Sequence, residues 1–319
     1  MCANANQIIR THEYYKQMIV NSQNKKIHDI SIKDWIGNVF PDDIRVTPLF
    51  ETKEAILNSD KYVEQYMKKE KIKEFQRVWY ARSDPALNYG SLANVMIAKI
   101  GLQKLHDLEN KTSIKILPIL GCGSSPFRGN FKPTNVKTML KGYPSVQTFT
   151  AQSAFKYDFP LKEVLNGIDE IKDTKRTNPN IVEEENAIKI INKVEKDYVE
   201  SIKLLAPMIN HVEIPRRRKR KLHIDLFGYA RQSQGVKLPR AITFCAVLYS
   251  LGLPPEILGM SNLTQKDIDL VQSCYQNIWN DMQNSLQYLN KNNLDYFPLE
   301  LKKKVLRVIE LFKYEVNQE

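Results

Sequence analysis

The chain has 319 residues and a formal net charge of +11, with 42% hydrophobic and 26% charged residues. This composition is typical of a soluble globular protein that is long enough for one or two domains. No apolar run approaches the ~20 residues that span a bilayer, no secretory signal opens the sequence, and the four scattered cysteines form no Cys-x-x-Cys pair. These features argue against a membrane protein, a zinc site and a disulfide framework, and they favour a cytoplasmic protein with reduced thiols.

Strands and helices alternate in the first half of the chain. Short apolar runs predict four strands, at 44–50, 75–81, 114–120 and 146–151. Apolar residues at helical spacing predict helices at 53–70, 91–109 and 133–141, after a mostly helical start over 1–43. A strand every 30 to 40 residues fits βα units and a parallel sheet.

Strand signals end near Ile181, and the second half of the chain is predicted to be mainly helical. Amphipathic patterns predict helices at 184–210, 240–251, 264–289 and 299–316. The Asn-Pro-Asn sequence around Pro179 marks a boundary between a first domain, 1–178, and a second, 179–319.

Two of the apolar runs change abruptly into small, polar and charged residues. The run ending at Ala81 continues as Arg-Ser-Asp-Pro, and the run ending at Leu120 continues as Gly-Cys-Gly-Ser-Ser-Pro-Phe-Arg-Gly. Continuous apolar runs suit strands that are buried on both faces, and chemistry in such sheets lies beyond the strands' carboxyl ends. The glycines allow backbone N–H groups to approach an anion, and Arg128 supplies a guanidinium fork. The alternative is an ordinary strand-to-helix turn with a surface arginine.

The four predicted strand ends present Glu51, Asp84, Arg128 and Gln152. Two carboxylates on neighbouring strands suit Mg²⁺ or Mn²⁺, which would take further oxygen ligands from water and substrate. The alternative is that Glu51 caps the following helix and that Asp84 caps the turn before Pro85.

A basic segment precedes the helix that begins near Arg240. Residues 216–221 read RRRKRK and carry six positive charges, which is typical of a solvated or nucleic-acid-facing segment. The segment continues through Gly228 and Gly235 to Arg240. A flexible basic loop followed by an arginine at a helix N-terminus also suits a phosphorylated substrate.

Five blocks of this sequence resemble the archaeal-type phosphoenolpyruvate carboxylases, and they occur in order over about residues 30–260. The blocks are ARSDPALNYG, LPILGCGSSPFRGN, TFTAQSAFKYD, IPRRRKRKLHIDLFGYAR and LPRAITF…LGLPPEILG, and PLFET also echoes the larger bacterial and plant enzymes. The resemblance implies an α/β fold with about four parallel strands of a (β/α)8 barrel, followed by a mainly helical region with a basic active-site loop at 214–240. It also implies a cytoplasmic homo-oligomer, a tetramer in the family.

The resemblance further implies that phosphoenolpyruvate and bicarbonate are converted to oxaloacetate and phosphate with Mg²⁺ or Mn²⁺. Glu51 and Asp84 would be the metal ligands, and Arg128 would hold the phosphate or carboxyphosphate. Gln152 would bind the substrate carboxylate. Positive charge for phosphoryl transfer would come from the arginines of the basic loop and the helix after it, Arg218, Arg220 and Arg240.

The sequence departs from the family at both ends. No His-Pro pair matches the family's histidine motif, the first barrel strands lack a counterpart, and the ending FKYEVNQE differs from the family's glycine-terminated tail. The chain thus resembles the middle and C-terminal portion of a carboxylase, and it is expected to need a separate N-terminal polypeptide for turnover. Two alternatives are an inactive relic that binds only metal and phosphorylated ligand, and a basic nucleic-acid-binding protein.

Overall fold

The computed structural model describes residues 2–214, 232–233 and 236–313. Within these ranges the strands are β1 (Lys26–Ile27), β2 (Ile30–Ser31), β3 (Leu49–Phe50), β4 (Phe75–Ala81), β5 (Lys115–Gly121), β6 (Thr148–Phe149), β7 (Gln232–Ser233) and β8 (Val236–Lys237). Strands β3-β4-β5-β6 form one parallel sheet in sequence order, whereas β1–β2 and β7–β8 are small antiparallel pairs.

Helices connect the parallel strands and form most of the chain after β6. In the described ranges they are α1 (Ala5–Tyr14), α2 (Ile32–Ile36), α3 (Lys53–Leu57), α4 (Ser59–Lys69), α5 (Ser83–Tyr89), α6 (Ser91–Thr112), α7 (Val136–Gly142), α8 (Leu161–Asp173), α9 (Glu184–His211), α10 (Ala241–Ser250), α11 (Gln265–Cys274), α12 (Ile278–Leu286) and α13 (Leu299–Leu311). None of these helices is long and apolar enough to cross a bilayer. The observed class is therefore α/β, with a four-stranded parallel sheet.

The strand register aligns the carboxyl ends of all four parallel strands. Phe50 pairs with Tyr80, Tyr80 with Leu120, and Leu120 with Phe149. Because one row of residues crosses the whole sheet at this level, the segments that follow each strand emerge at the same edge. Four of the sequence-predicted site residues, Glu51, Asp84, Arg128 and Gln152, lie in these segments.

The two faces of the sheet differ in burial. Val78 and Tyr80 of β4 and Ile116 and Leu120 of β5 are fully buried on the face that the helices cover. The other face is less buried, since Trp79 and Leu117 are half-buried and Arg77 is exposed, although Ile119 is only 8% exposed. The expectation of strands buried on both faces is therefore wrong for the described residues, because helices cover only one face.

The helical second half packs directly on the sheet half. Helix α9 contacts α5 and α6, and the Tyr198 hydroxyl of α9 donates to the carbonyl of Leu87 in α5 at 2.9 Å. Gly90, which has φ +91°, lies against the Tyr198 ring, so this close approach requires glycine. One hydrophobic core includes residues from both predicted domains. The boundary at 178–179 stays a prediction.

Several predicted elements differ from the observed ones. The predicted helix 53–70 is divided into α3 and α4 at Asn58, whose backbone leaves the helical conformation. The predicted helix 264–289 is divided into α11 and α12 near Tyr275, and the start of the chain includes the β1–β2 hairpin. The β7–β8 pair lies where no strand was predicted, because two-residue strands leave no periodic signal.

Lys99 of α6 is buried in the core that the two halves share. Its Nζ donates to the carbonyl of Gly142 and to Oδ1 of Asn180, the latter at 2.8 Å. Burial lowers the pKa of Lys99 to about 7. The protonated form is therefore penalised in the folded protein.

This burial predicts a pH-dependent stability. Between pH 7 and 10 the unfolded chain holds a proton on Lys99 that the folded chain releases, so the free energy of unfolding should rise by up to about 1.4 kcal/mol per pH unit. Lys99→Met should remove this increment, which urea unfolding at pH 7, 8 and 9 measures. Lys104→Met, on the same helix, is the control and should keep it. An identical pH dependence in Lys99→Met and the parent chain would show that Lys99 is not the cause.

Candidate active site

The segments that follow the four parallel strands bring Glu51, Asp84, Arg128 and Gln152 together. Glu51 follows β3 directly and is 7% exposed. Asp84 lies close enough to raise the pKa of Glu51 and to act electrostatically on Arg128. The guanidinium of Arg128 reaches Gln152, with Nη2 donating to Oε1 at 2.7 Å. The predicted convergence at the carboxyl edge therefore occurs in the structure.

Glu51 does not cap the helix that follows it. The N-cap of α3 is Thr52, whose side chain accepts the N–H of Ala55 at 3.2 Å. Burial raises the pKa of Glu51 above its ordinary value, and the neighbouring Asp84 carboxylate raises it further. Burial and a neighbouring negative charge both disfavour the charged form of a carboxyl group, unless a cation lies close to it.

Asp84 is also not a cap residue. It is the second residue of α5, whose N-cap is Arg82 without a side-chain capping bond. An acidic side chain in a first turn is favoured by the helix dipole, and its half-buried position faces the same edge as Glu51.

The donor set at this edge fits a hard divalent cation. Among the described residues no group of three or more His, Cys, Asp or Glu side chains is placed to hold a metal ion. The pair of Glu51 and Asp84 supplies two oxygen ligands, and their mutual repulsion would be relieved by positive charge. Mg²⁺ typically takes one or two protein carboxylates and keeps its remaining positions for water and substrate.

Arg128 lies in a tight loop that connects β5 to the next helix. Residues Pro126–Arg128 form a 3₁₀ turn, and the N–H of Gly123 donates to the carbonyl of Arg128 at 2.7 Å. A Cβ atom on Gly123 would lie 2.7 Å from Cζ of Arg128, so any larger residue at this position would displace the Arg128 side chain.

The N–H groups of two loop glycines form hydrogen bonds within the loop and not the anion cradle that the sequence predicted. The N–H groups of Gly123 and Gly129 bond the carbonyls of Arg128 and Pro126, so they do not face an anion. The expectation of an N–H cradle is therefore wrong for these two residues. Gly129 has φ +119°, which the chain reversal requires. The guanidinium of Arg128 is the group in this loop whose N–H donors have the fork geometry that suits an anion.

The Arg128 side chain is fixed from two sides. Nε donates to Oγ of Ser83 at 3.2 Å, and Nη2 donates to Gln152. Burial lowers the pKa of Arg128, and the proximity of Asp84 opposes that effect. An arginine so held keeps its charge and has one defined orientation, set by Ser83 and Gln152. The amide oxygen of Gln152 accepts from Arg128, and its Nε2 donates to Oγ1 of Thr150 at 3.4 Å, which leaves one of its two N–H groups for another partner.

Arg240 is the N-cap residue of α10, a helix that contacts α5 and α9. Its Nη2 is buried and has no hydrogen-bond partner among the described residues. Arg218 and Arg220 lie outside the described residues, as does most of the basic loop 214–240. Strand β7, which the structure does describe in that loop, contacts α5.

Three residues near the site were not identified from the sequence. Ser83 orients Arg128, and the buried carboxyls Glu256 and Asp281 bind the Arg128 loop from the second half of the chain. Ser83 is a neighbour of Asp84 in the ARSDP block, and Glu256 lies in the quoted LPPEILG block, so only position in a motif pointed to them.

The fold and these residues define an α/β protein with a paired-carboxylate and arginine site at the carboxyl edge of a parallel sheet. The chain belongs to the phosphoenolpyruvate carboxylase family, because the family model with that description matches residues 1–319. The resemblance noted in the sequence is thereby confirmed.

Named relatives agree with this assignment. The phosphoenolpyruvate carboxylase of Pyrococcus abyssi (strain GE5 / Orsay) is 44% identical over 315 residues, which cover 98% of this chain and 66% of that protein. The enzyme of that name from Pyrococcus furiosus is 45% identical, over 91% of this chain and 61% of the relative. That of Methanospirillum hungatei is 43% identical, over 92% and 61%. The chain thus spans between 60% and 66% of the length of the first relatives that it matches.

Proposed function

We propose that this chain forms the metal- and phosphate-binding part of a phosphoenolpyruvate carboxylase, which converts phosphoenolpyruvate and bicarbonate to oxaloacetate and phosphate. The observation that supports the proposal best is the convergence of Glu51, Asp84, Arg128 and Gln152 at one sheet edge, linked by the 2.7 Å bond between Arg128 and Gln152. Family membership favours this interpretation over the nucleic-acid hypothesis.

The arginine would bind the transferred phosphoryl group. Attack of bicarbonate on phosphorus increases negative charge on the phosphoryl oxygens, and a guanidinium stabilises that charge by paired hydrogen bonds. Ser83 and Gln152 hold Arg128 in one orientation before the substrate arrives, so little reorganisation is needed. Arg240, whose buried Nη2 has no hydrogen-bond partner among the described residues, would add positive charge, as would Arg218 and Arg220.

Glu51 and Asp84 would hold Mg²⁺ or Mn²⁺. When bound, the cation would supply Lewis-acid stabilisation for the enolate charge that forms as the phosphoryl group is transferred to bicarbonate. The two carboxylates would confine that positive charge to the sheet edge, where Asp84 acts electrostatically on Arg128. The N–H₂ group of Gln152 would donate to the carboxylate of phosphoenolpyruvate and orient it towards the same edge.

The four parallel strands would form half of a (β/α)8 barrel. Their sequential order, with helices on one face and a half-buried second face, matches a segment of such a barrel. The remaining strands would come from polypeptide beyond these 319 residues, on the same chain or another one. Assembly into a homo-oligomer would be a further way to cover the second face. The four cysteines are free thiols, which supports a reducing, cytoplasmic location.

Bicarbonate-dependent oxaloacetate formation tests the proposal. We expect the 319-residue chain to bind phosphoenolpyruvate in the presence of Mn²⁺ with a Kd of about 1 mM or lower, measured by isothermal titration calorimetry. Turnover, followed by coupling oxaloacetate to malate dehydrogenase, is expected when the chain is mixed with the remaining third of a relative's sequence.

The controls separate the two hypotheses about activity. Omitting bicarbonate or Mn²⁺ should abolish oxaloacetate formation, and the concentration of phosphoenolpyruvate should then stay constant. Binding with no turnover in the complemented mixture would favour the inactive, ligand-binding relic. Absence of phosphoenolpyruvate binding would refute both hypotheses.

A further inference from the structure

The loop that carries Arg128 is fastened by a buried carboxyl group from the second half of the chain. Glu256 lies in the 3₁₀ turn Pro255–Ile257 and is fully buried. Its Oε1 accepts the N–H of Phe127 at 2.7 Å and the hydroxyl of Tyr249 at 2.6 Å. Because Phe127 precedes Arg128 in the turn Pro126–Arg128, this bond acts on the backbone from which the guanidinium projects.

The same loop has a second anchor on its other side. Oδ1 of Asp281 in α12 accepts from Nδ2 of Asn130 at 2.6 Å, and Oδ2 accepts from the hydroxyl of Tyr275. Arg128 thus lies between two fastened residues, Phe127 and Asn130. The anchor at Phe127 holds main chain, whereas the anchor at Asn130 holds a side chain, so Glu256 has the more direct effect on the path of the loop.

We propose that Glu256 is a positioning residue, which sets the place of the Arg128 guanidinium by holding the N–H of Phe127. The proposal rests on the proposed function, since it assumes that Arg128 binds the phosphoryl group. Without an acceptor, the buried N–H of Phe127 would lose its only described partner and the turn would rearrange to satisfy it. The Phe127 ring, 5.3 Å from that of Phe244, would move with the turn.

The environment of Glu256 indicates a role beyond stability. Oε2 is buried and has no hydrogen-bond partner in the described part of the chain. Buried polar atoms without a partner are uncommon in folded proteins, so such an oxygen calls for an explanation. Burial also raises the pKa of Glu256 to about 7. Both the neutral and the charged carboxyl keep an oxygen that accepts from Phe127, so the acceptor matters more than the charge.

Conservative and truncating variants test this inference. The probe is phosphoenolpyruvate with Mn²⁺, titrated calorimetrically into the 319-residue chain. Glu256→Ala removes the acceptor and should weaken binding about 10-fold or more. Glu256→Gln keeps an amide oxygen at the position of Oε1 and should retain most of the affinity. Glu256→Asp withdraws the carboxyl group by one methylene and should weaken binding as the alanine variant does. It therefore tests the inference even if Glu256→Ala does not fold.

A double-mutant cycle distinguishes positioning from general destabilisation. In a chain that already carries Arg128→Met, Glu256→Ala should cause no further loss of affinity, because the group that it positions is gone. Asp197→Ala is the matched control. Asp197 is equally buried and accepts from the N–H of Ser261 and from Lys304, both at 2.8 Å, but it does not touch the loop. It should lower the unfolding midpoint without changing affinity.

Each other outcome decides against the inference. Parent-like affinity in Glu256→Ala or Glu256→Asp would overturn it, and so would an equal loss of affinity with and without Arg128. If Asp197→Ala also weakened binding, the loss of affinity in the Glu256 variants would be explained by general destabilisation of the fold. If the parent chain fails to bind the probe at all, the proposed function fails, and this inference fails with it.

Discussion

Replacing Arg128 with methionine is expected to weaken the binding of phosphoenolpyruvate to this chain by about 100-fold. The guanidinium is half-buried and is held by Ser83 and Gln152, so its charge meets an anion in a partly desolvated place. Hydrogen bonds between charged groups in such places contribute about 1.5–3 kcal/mol, which corresponds to this loss. Calorimetric titration with Mn²⁺ present measures the effect directly.

Arg128→Lys should give an intermediate loss, because an ammonium keeps the charge but not the fork. A lysine cannot donate to Ser83 and Gln152 while offering paired N–H groups to a phosphate. Arg45→Met is the matched control at the opposite, amino-terminal edge of the sheet, where Arg45 lies over the Phe75 ring and donates to its carbonyl at 2.9 Å. Equal losses in the Arg128 and Arg45 variants would show that net charge, and not this site, governs binding.

The sequence predicted the central strands better than the edge strands. Strand β4 was predicted at 75–81 and is observed at Phe75–Ala81, and β5 is shifted by one residue. The run of β4 ends at the charged Arg82 and that of β5 at the small residues from Gly121 onward, so their carboxyl ends are visible in the sequence. Strands β3 and β6 have only two residues each, although longer strands were predicted at 44–50 and 146–151. The length of an edge strand depends on how many residues pair with the neighbouring strand, and an apolar pattern does not encode that number.

The candidate site was predictable to the extent that it follows from strand topology. Glu51, Asp84, Arg128 and Gln152 each follow a parallel strand, and parallel strands present their carboxyl ends at one edge. The support of Arg128 was not predictable. Glu256 is 129 residues away from Phe127 in the chain, and no local pattern predicts a contact over such a separation. The packing of Arg128 on Gly123 likewise required coordinates, because the glycine alone suggested an N–H donor.

Replacing Asp84 with asparagine is expected to abolish the binding of Mn²⁺ in the presence of phosphoenolpyruvate. The proposed site has two protein carboxylates, Glu51 and Asp84, and a neutral amide in place of one removes half of the negative charge that holds the ion. Glu51→Gln should have the same effect. Free Mn²⁺ measured by electron paramagnetic resonance gives the affinity, and circular dichroism should show unchanged helix content.

Asp60 provides a control that matches Asp84 in helix position. Asp60 is the second residue of α4 and follows Ser59, just as Asp84 is the second residue of α5 and follows Ser83. Each carboxylate therefore interacts with a helix N-terminus to a similar extent, and Asp60→Asn removes that interaction without touching the sheet edge. Loss of Mn²⁺ binding in Asp84→Asn but not in Asp60→Asn assigns the effect to metal coordination. Unchanged affinity in Asp84→Asn would instead mean that Asp84 only stabilises the first turn of α5, and that the two carboxylates do not form a metal site.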